Sequence, residues 1–254
     1  MAPPKIDAPS PAQVLNGEQQ MPRESFLELL PPALLSTLYV VGRGPEARIT
    51  PTRLFPKQAL LPLGPNDTTV FIILGGCVVQ ERFPFTAKIA RFRGAGQFVG
   101  EGKLLDPRSS VTTRCLSDTW VLPCAARRMN ALFGQYPEAR HALLCSLEAR
   151  NRSDEEIYST VSRTPLERVS ALLLHLARVT GTTDGDGHTI ITGPRQKDLA
   201  EALVLGQSTV ENAVAKLRRR GVIDSRYRTL VVIDMDRLEH LVRMPPASRP
   251  TAQP

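Results

Sequence analysis

Three textures of hydrophobic and polar positions succeed one another along the chain. Phe26, Leu27, Leu30, Leu34 and Leu38 recur at helical spacing, which predicts a short amphipathic helix around residues 25–40. From about Ile49 to Val121 the apolar residues come in short runs such as "TTVFIILGGCVVQERF" and "SVTTRCLSDTWVLP". These runs are rich in Val, Ile, Phe and Thr and are broken by Gly, Pro and Asn-Asp. They predict a β-rich unit with tight turns, a sandwich or roll and not a βαβ sheet. From Ala125 onward the period is helical again.

Within that helical part, Leu143, Leu147, Arg150, Asp154, Ile157 and Val161 fall at alternating steps of four and three. Such an a/d seam predicts a helix that pairs with a second copy of itself. Its two central positions are charged, which fits either a register-setting seam or a face turned to a ligand; a plain solvated face is the alternative. Pro165 interrupts this helix, a second one follows over 166–179, and "TGTTDGDGH" reads as a connecting loop.

The last sixty residues are the most informative. Gly193 and Pro194 suit the cap and first position of a helix whose apolar face is Leu199, Ala200 and Leu203. A turn over 204–206 leads to a second helix with Val210, Ala213, Val214 and Leu217 on its buried face. Gly221 ends it, and "SRYRTLVVID" reads as a hairpin with Arg226 and Arg228 near its tip. This is the pattern of a helix-turn-helix followed by a wing. Gln207, Ser208, Thr209, Glu211, Asn212, Ala215 and Lys216 are left on the open side of the second helix. Short polar side chains at its start suit base edges, and Arg195, Lys216, Arg218 and Arg228 suit phosphates. Between Arg195 and Arg228, eight Lys or Arg stand against four Asp or Glu.

Composition narrows the partner. The chain has 254 residues, a net charge of +7 and a pI near 9.6, which favours an acidic partner, nucleic acid ahead of an anionic membrane. No apolar run is long enough to span a bilayer, so a cytoplasmic protein, nucleoid-associated when bound to DNA, is expected. Cys77, Cys115, Cys124 and Cys145 are scattered and form no CxxC pair, so buried thiols and no metal site are expected. The termini, residues 1–20 and 245–254, are rich in Pro, Ala and Gln and read as disordered tails. No His/Asp/Ser set stands at a telling spacing, so no enzymatic activity is expected.

One further stretch carries candidate chemistry. "GAGQFVGEGKLL", residues 94–105, pairs glycines with Lys103. A P-loop would need Gly at Gln97 and a hydroxyl residue at Leu104, so the spacing refutes a nucleoside-triphosphate loop. With its continuation "DPRSSV" the stretch instead offers Gly100 for close backbone approach, Glu101 for a sugar hydroxyl, Arg108 for a phosphate, and Ser109 and Ser110 as donors. A polar loop that binds nothing is the alternative.

"FVGEGKLLDPRSSV" resembles the phosphate-binding cassette of cyclic-nucleotide-binding domains, and "DLAEALVLGQSTVENAVAKLRRRGVI" resembles the DNA-binding helices of the same family. In this order the motifs resemble the cyclic-AMP receptor/FNR family of bacterial transcription regulators, over roughly residues 25–241. The resemblance implies an α+β fold with a cyclic-nucleotide-binding-like β-roll at 21–137, a dimerisation helix at 138–163 and a winged helix-turn-helix at 164–244. It implies a homodimer that binds double-stranded DNA, with RNA polymerase a further expected partner. It implies that the roll senses a nucleotide-type effector, cyclic AMP or a cyclic dinucleotide, with no other cofactor required. Glu101 would then hold the ribose hydroxyl, Arg108 and Ser109 the cyclic phosphate, and Ser153 and Asp154 of the helix the base.

Several departures are visible. Only six residues separate Glu101 from Arg108, and Gly102-Lys103 stands where the family has a small-apolar pair. Lys103 is left either as a second cation for a larger phosphate or as a solvent-facing side chain. Gln207 and Asn212 stand where the family's base-reading Arg commonly fall, so a different operator is expected. No Cys precedes Cys77, which speaks against an iron–sulfur sensor. A roll that works without a ligand is the second reading.

Overall fold

A computed structural model describes residues 11–42, 52–83, 88–158, 163–226 and 229–243. The chain opens with a short helix, α1 (Pro11–Leu15), inside the segment expected to be a disordered tail. Val14 and Leu15 are buried against the roll, so apolar burial overrides the Pro-rich composition there. The terminal segments 1–10 and 244–254 lie outside the described residues.

The helix expected over residues 25–40 is divided. α2 (Phe26–Leu29) is capped by Ser25, a 3₁₀ turn covers Pro32–Leu34, and α3 (Leu35–Gly42) follows. Pro31 and Pro32 supply no backbone N–H, so one continuous helix is not available. The apolar positions still point inward: Phe26, Leu27, Leu30, Leu34 and Leu38 are all buried.

The β-rich segment forms two facing antiparallel sheets. β1 (Arg53–Phe55), β2 (Thr69–Gly75), β5 (Phe98–Val99) and β7 (Thr119–Ala125) make a four-stranded sheet in the order β1-β7-β2-β5. β3 (Val78–Arg82), β4 (Ile89–Arg93) and β6 (Thr112–Cys115) make a three-stranded one in the order β4-β3-β6. Phe71, Ile73, Val78, Val99, Cys115 and Val121 close the space between them. The other face of the first sheet buries Val70, Ile72 and Leu74 against α1–α3 and the helices that follow the roll.

Those helices are α4 (Ala126–Gln135) and α5 (Pro137–Tyr158). Residues 159–162, with the seam position Val161, lie outside the described residues. α6 (Pro165–Thr180) starts at a capping box: the Thr164 hydroxyl accepts from the Glu167 amide, and the Glu167 carboxylate accepts from the Thr164 amide.

The stretch expected as a loop, residues 180–188, is instead half of a hairpin. β8 (Thr182–Thr183) pairs with β9 (Thr189–Thr192), and Asp184 turns the chain by accepting from the Asp186 and His188 amides. β9 then pairs with the later hairpin, β10 (Ile223–Arg226) and β11 (Thr229–Val232), giving the sheet order β10-β11-β9-β8. Short Thr/Ile runs flanking an Asp-Gly turn carry that tendency locally, and pairing with β11 completes it. α7 (Gln196–Leu203) and α8 (Gln207–Arg219) stand before this hairpin, and α9 (Met235–Arg243) after it. α7 begins two residues later than Pro194 suggests. Asp198 accepts from the Arg195 amide at 2.8 Å, and this side-chain cap sets the start. Among the described residues no helix is long and apolar enough to cross a membrane.

Candidate nucleic-acid interface and nucleotide cassette

α7 and α8 meet across a three-residue turn. Val204 takes a left-handed conformation, φ 51°, and its amide bonds back to the end of α7. Arg168 of α6 is buried and donates from Nη2 to the Leu203 carbonyl, which ties the turn to α6. Burial lowers the Arg168 pKa from its ordinary value. No periodicity announces this contact, which joins residues 35 apart in sequence.

Val210, Ala213, Val214 and Leu217 of α8 are buried. The opposite face, with Gln207, Ser208, Glu211, Asn212, Ala215 and Lys216, is exposed, and Thr209 is half-buried. Gln207 Nε2 donates to Glu211 Oε1 at 2.8 Å, so the first turn presents a linked pair. Lys216, Arg218 and Arg219 cluster at the helix C-terminus, where the macrodipole favours cations. Arg218 leans to Asp224 at 3.6 Å, and Arg195 is exposed with Nε 3.3 Å from Asp198 Oδ2. Arg226 is exposed on β10; Arg228 lies outside the described residues.

The cassette residues are arranged differently. Gly100, φ 83°, opens a 3₁₀ turn over Glu101–Leu104, and a Cβ there would meet Leu63 Cδ2 at 2.4 Å. Glu101 Oε1 accepts from Arg150 Nη2 of α5 at 2.5 Å, and Arg150 Nη1 donates to the Phe98 carbonyl. The second carboxylate oxygen of Glu101 is buried without a hydrogen-bond partner.

Lys103 neither reaches outward nor faces solvent. It is 2% exposed, and its Nζ donates to the Gly64 carbonyl at 2.6 Å and to the Pro107 carbonyl at 3.4 Å. Arg108 points away, its side chain 88% exposed and 3.7 Å from Asp106. Ser110 is exposed, and Ser109 folds onto Gly102, where a Cβ would lie 2.2 Å from its Oγ.

The α5 residues are committed inward. Asp154 takes a two-pronged bond from Arg93 of β4, at 3.0 and 2.7 Å, with Arg91 at 3.8 Å. Arg91 also stacks over the Tyr158 ring at 3.6 Å. Ser153 shares a 3.0 Å hydrogen bond with His175 Nδ1 of α6. Burial, and then the Arg93 cation, push the His175 pKa down to about 4. Arg150 and Asp154 therefore serve their own roll, and Leu143 and Ile157 of the same seam are buried in this chain's cores.

The exposed polar residues of α8 thus share one face, whereas Glu101 is paired with Arg150 and Arg108 lies in solvent. A cleft of about 1050 Å³ opens between α5, α6 and residues 19–24, and of the expected ligand residues Ser153 alone lines it, with Arg150, His175 and Arg178 also in its walls. Asp184, Asp186 and His188 are the only grouping of metal-type donors among the described residues, and Asp184 already serves the hairpin turn.

Comparison with known proteins agrees with this architecture. Residues 167–241 match the Crp-like helix-turn-helix domain family. A CRP-like cAMP-activated global transcriptional regulator of Mycobacterium tuberculosis is 24% identical over 184 residues, covering 70% of this chain and 81% of the relative. A CRP-family transcriptional regulator from Thermus thermophilus superposes with a TM-score of 0.61 at 22% identity, covering 76% of this chain and 98% of that one. FixK2 from Bradyrhizobium japonicum gives 0.62 at 19% identity with the same coverage. Residues 167–241 thus form a Crp-type helix-turn-helix head, and the fold from roll to head is the one shared by structures of CRP/FNR-family regulators.

Proposed function

We propose that the chain acts as a homodimeric, sequence-specific DNA-binding regulator, with the roll at 21–137, the dimer helix at 138–163 and the head at 164–244. The observation that carries this reading is α8: an exposed row of short polar side chains, ended by cations, on a helix whose other face is fully buried. Gln207 and Asn212 suit adenine, Glu211 suits cytosine, and Ser208 and Thr209 suit either. Arg195, Lys216, Arg218 and Arg228 would meet phosphates. In the cell we expect a cytoplasmic, nucleoid-bound dimer that contacts RNA polymerase.

Selection from random duplexes with the purified protein tests this. An enriched, two-fold symmetric motif is expected, and no enrichment of any sequence refutes the reading. Neutralising Arg218 or Arg228 should lower affinity on all sequences alike and reduce the salt slope by about one. For self-association, the helix face that stays open carries His141, Leu144, Glu148 and Asn151, with Leu144 59% exposed. Sedimentation at micromolar concentration should give a dimer that Leu144→Glu weakens.

Two readings of the roll remain, and one observation favours the second. For an effector to be held by Glu101, Arg108, Ser109, Ser110, Ser153 and Asp154, Arg108 must turn in from its exposed position beside Asp106, and the ligand must share Glu101 with Arg150 and Asp154 with Arg93. Displacing either arginine to make room would leave a buried carboxylate uncompensated, at about 3–5 kcal/mol each. A roll that works without a cyclic nucleotide avoids that cost. Calorimetry against cyclic mono- and dinucleotides separates the two. Saturable binding lost in Arg108→Ala restores the effector reading, and no heat with any of them supports the ligand-independent one.

A further inference from the structure

The head is not tethered to the roll by α5 alone; it is seated on it. Val79, Ala90 and Phe92 of the three-stranded sheet, with Cys77 and Leu116 flanking it, share one apolar core with Leu172 of α6 and with Leu199, Ala200 and Leu203 of α7. The Ala95 amide donates to the Val179 carbonyl at 3.1 Å, so a backbone hydrogen bond crosses the junction. Gly94 is pressed so closely that a Cβ there would lie 2.0 Å from the Val179 oxygen.

Over this apolar seat runs a chain of charges. Lys88, on the approach to β4, bridges Glu81 of β3 at 2.9 Å and Glu201 of α7 at 2.7 Å. Arg114 of β6 bridges the same Glu81 oxygen at 3.0 Å and Asp198 of α7 at 3.7 Å. The carboxylates sit deep: the Asp198 side chain is 5% exposed and that of Glu81 10%. A buried pair of this kind adds little net stability, because desolvation offsets the attraction, but it penalises every arrangement that separates the partners. The apolar seat favours docking without direction; the charges choose one orientation.

α7 is the helix that carries α8. The two are joined by three residues, and the turn is held to α6 by Arg168. Fixing Asp198 and Glu201 therefore fixes the direction of the reading face relative to the roll. We propose that Lys88 and Arg114 of the roll are positioning residues for the recognition helix, an electrostatic latch that pre-orients the head for DNA. In the docked head Gln207, Ser208, Glu211 and Asn212 are exposed. The latch thus holds a readable head in place, and its release adds a conformational cost to DNA binding. This step rests on the DNA-binding reading for its consequence, but not for its existence.

The test uses the full chain and a charge swap. Lys88→Glu and Glu201→Lys each place like charges together, and the double variant restores the 88–201 pair with the polarity reversed while leaving a like-charge contact with Glu81. Both side chains are about a third exposed, 31% and 33%, so both single variants should fold. Amide exchange of Ala95 reads docking directly, and anisotropy on the selected duplex reads DNA affinity. Each single change should speed Ala95 exchange by about tenfold or more and lower DNA affinity by roughly the same factor, with the double variant recovering part of both, since the carboxylate placed at 88 still meets Glu81. Unchanged Ala95 exchange in the single variants, no recovery in the double, or a rise in DNA affinity on release would each overturn the latch. If the wild-type protein selects no DNA, the functional reading fails while Ala95 exchange still judges the docking.

Discussion

Acidification should unseat this protein through one residue, His175. The ring is 7% exposed, shares its Nδ1 hydrogen bond with Ser153, and has the Arg93 cation nearby along with Asp154 and Arg178. Its pKa falls from 6.5 to about 4, with burial the larger cause and Arg93 the next. Below pH 6.5 the unfolded chain binds a proton at this position and the folded chain does not. The unfolded state therefore binds more protons, and stability falls as pH drops from about 6.5 to about 4. At 1.36 kcal/mol per pH unit the whole window is worth about 3 kcal/mol, a large share of a typical 5–15 kcal/mol. Urea unfolding of the wild type and of His175→Gln at pH 7 and pH 4.5 isolates this contribution. Gln keeps a polar partner for Ser153 but takes up no proton, and carboxylate contributions are common to both proteins. The wild type should lose about 2–3 kcal/mol more than the variant between the two pH values. Parallel pH profiles would show that the ring is charged or hydrated in the fold, and the reasoning from burial would be wrong.

Other outcomes follow from single contacts. Val204 is β-branched, left-handed at φ 51° and 81% exposed, so Val204→Gly removes roughly 1–2 kcal/mol of backbone strain and no packing; the larger freedom of unfolded Gly returns part of it, and calorimetry should show a modest rise in Tm. Lys103→Met takes the amine donor from the half-buried Gly64 carbonyl and should cost about 2 kcal/mol in urea unfolding while leaving DNA selectivity intact; no loss of stability would contradict the structural role. Gly94→Ala forces a methyl against the Val179 oxygen, and should speed Ala95 amide exchange by shifting the head off its seat; unchanged exchange would mean the junction yields easily.

The parts legible in the sequence are those governed by local period. The exposed polar face of α8 follows from Val210, Ala213, Val214 and Leu217, because one helix's apolar stripe also dictates what it leaves outside. The roll follows from its short β-branched runs. Local cues also err locally. Pro31 and Pro32 divide a helix that leucine spacing alone continues, Asp198 moves the start of α7 past Pro194, and the Thr/Ile runs around Asp184 pair as strands once β11 offers an edge.

The cassette is a different case: its residue types fit the motif, and partners far away in sequence engage them in this structure. Glu101 meets Arg150 from 49 residues on, Asp154 meets Arg93 from 61 residues back, and Lys103 meets Gly64 from 39 residues back. None of these partners carries a motif. The charged positions in the α5 seam, Arg150 and Asp154, were the one visible sign that something polar must answer them. They are answered within the chain, and this has a mechanical consequence. The same helix would supply the dimer face and also clamps Glu101 and Arg93 of the roll, while Ser153 reaches His175 at the base of the head. A change in how α5 lies is therefore felt at the cassette turn, at β4 and at α6 together. β4 carries Phe92 and Ala90 into the core shared with α7, so α5 and the latch act on the head through one sheet. If the roll needs no ligand, the variable left to set the recognition helices is the seating of that sheet against α7.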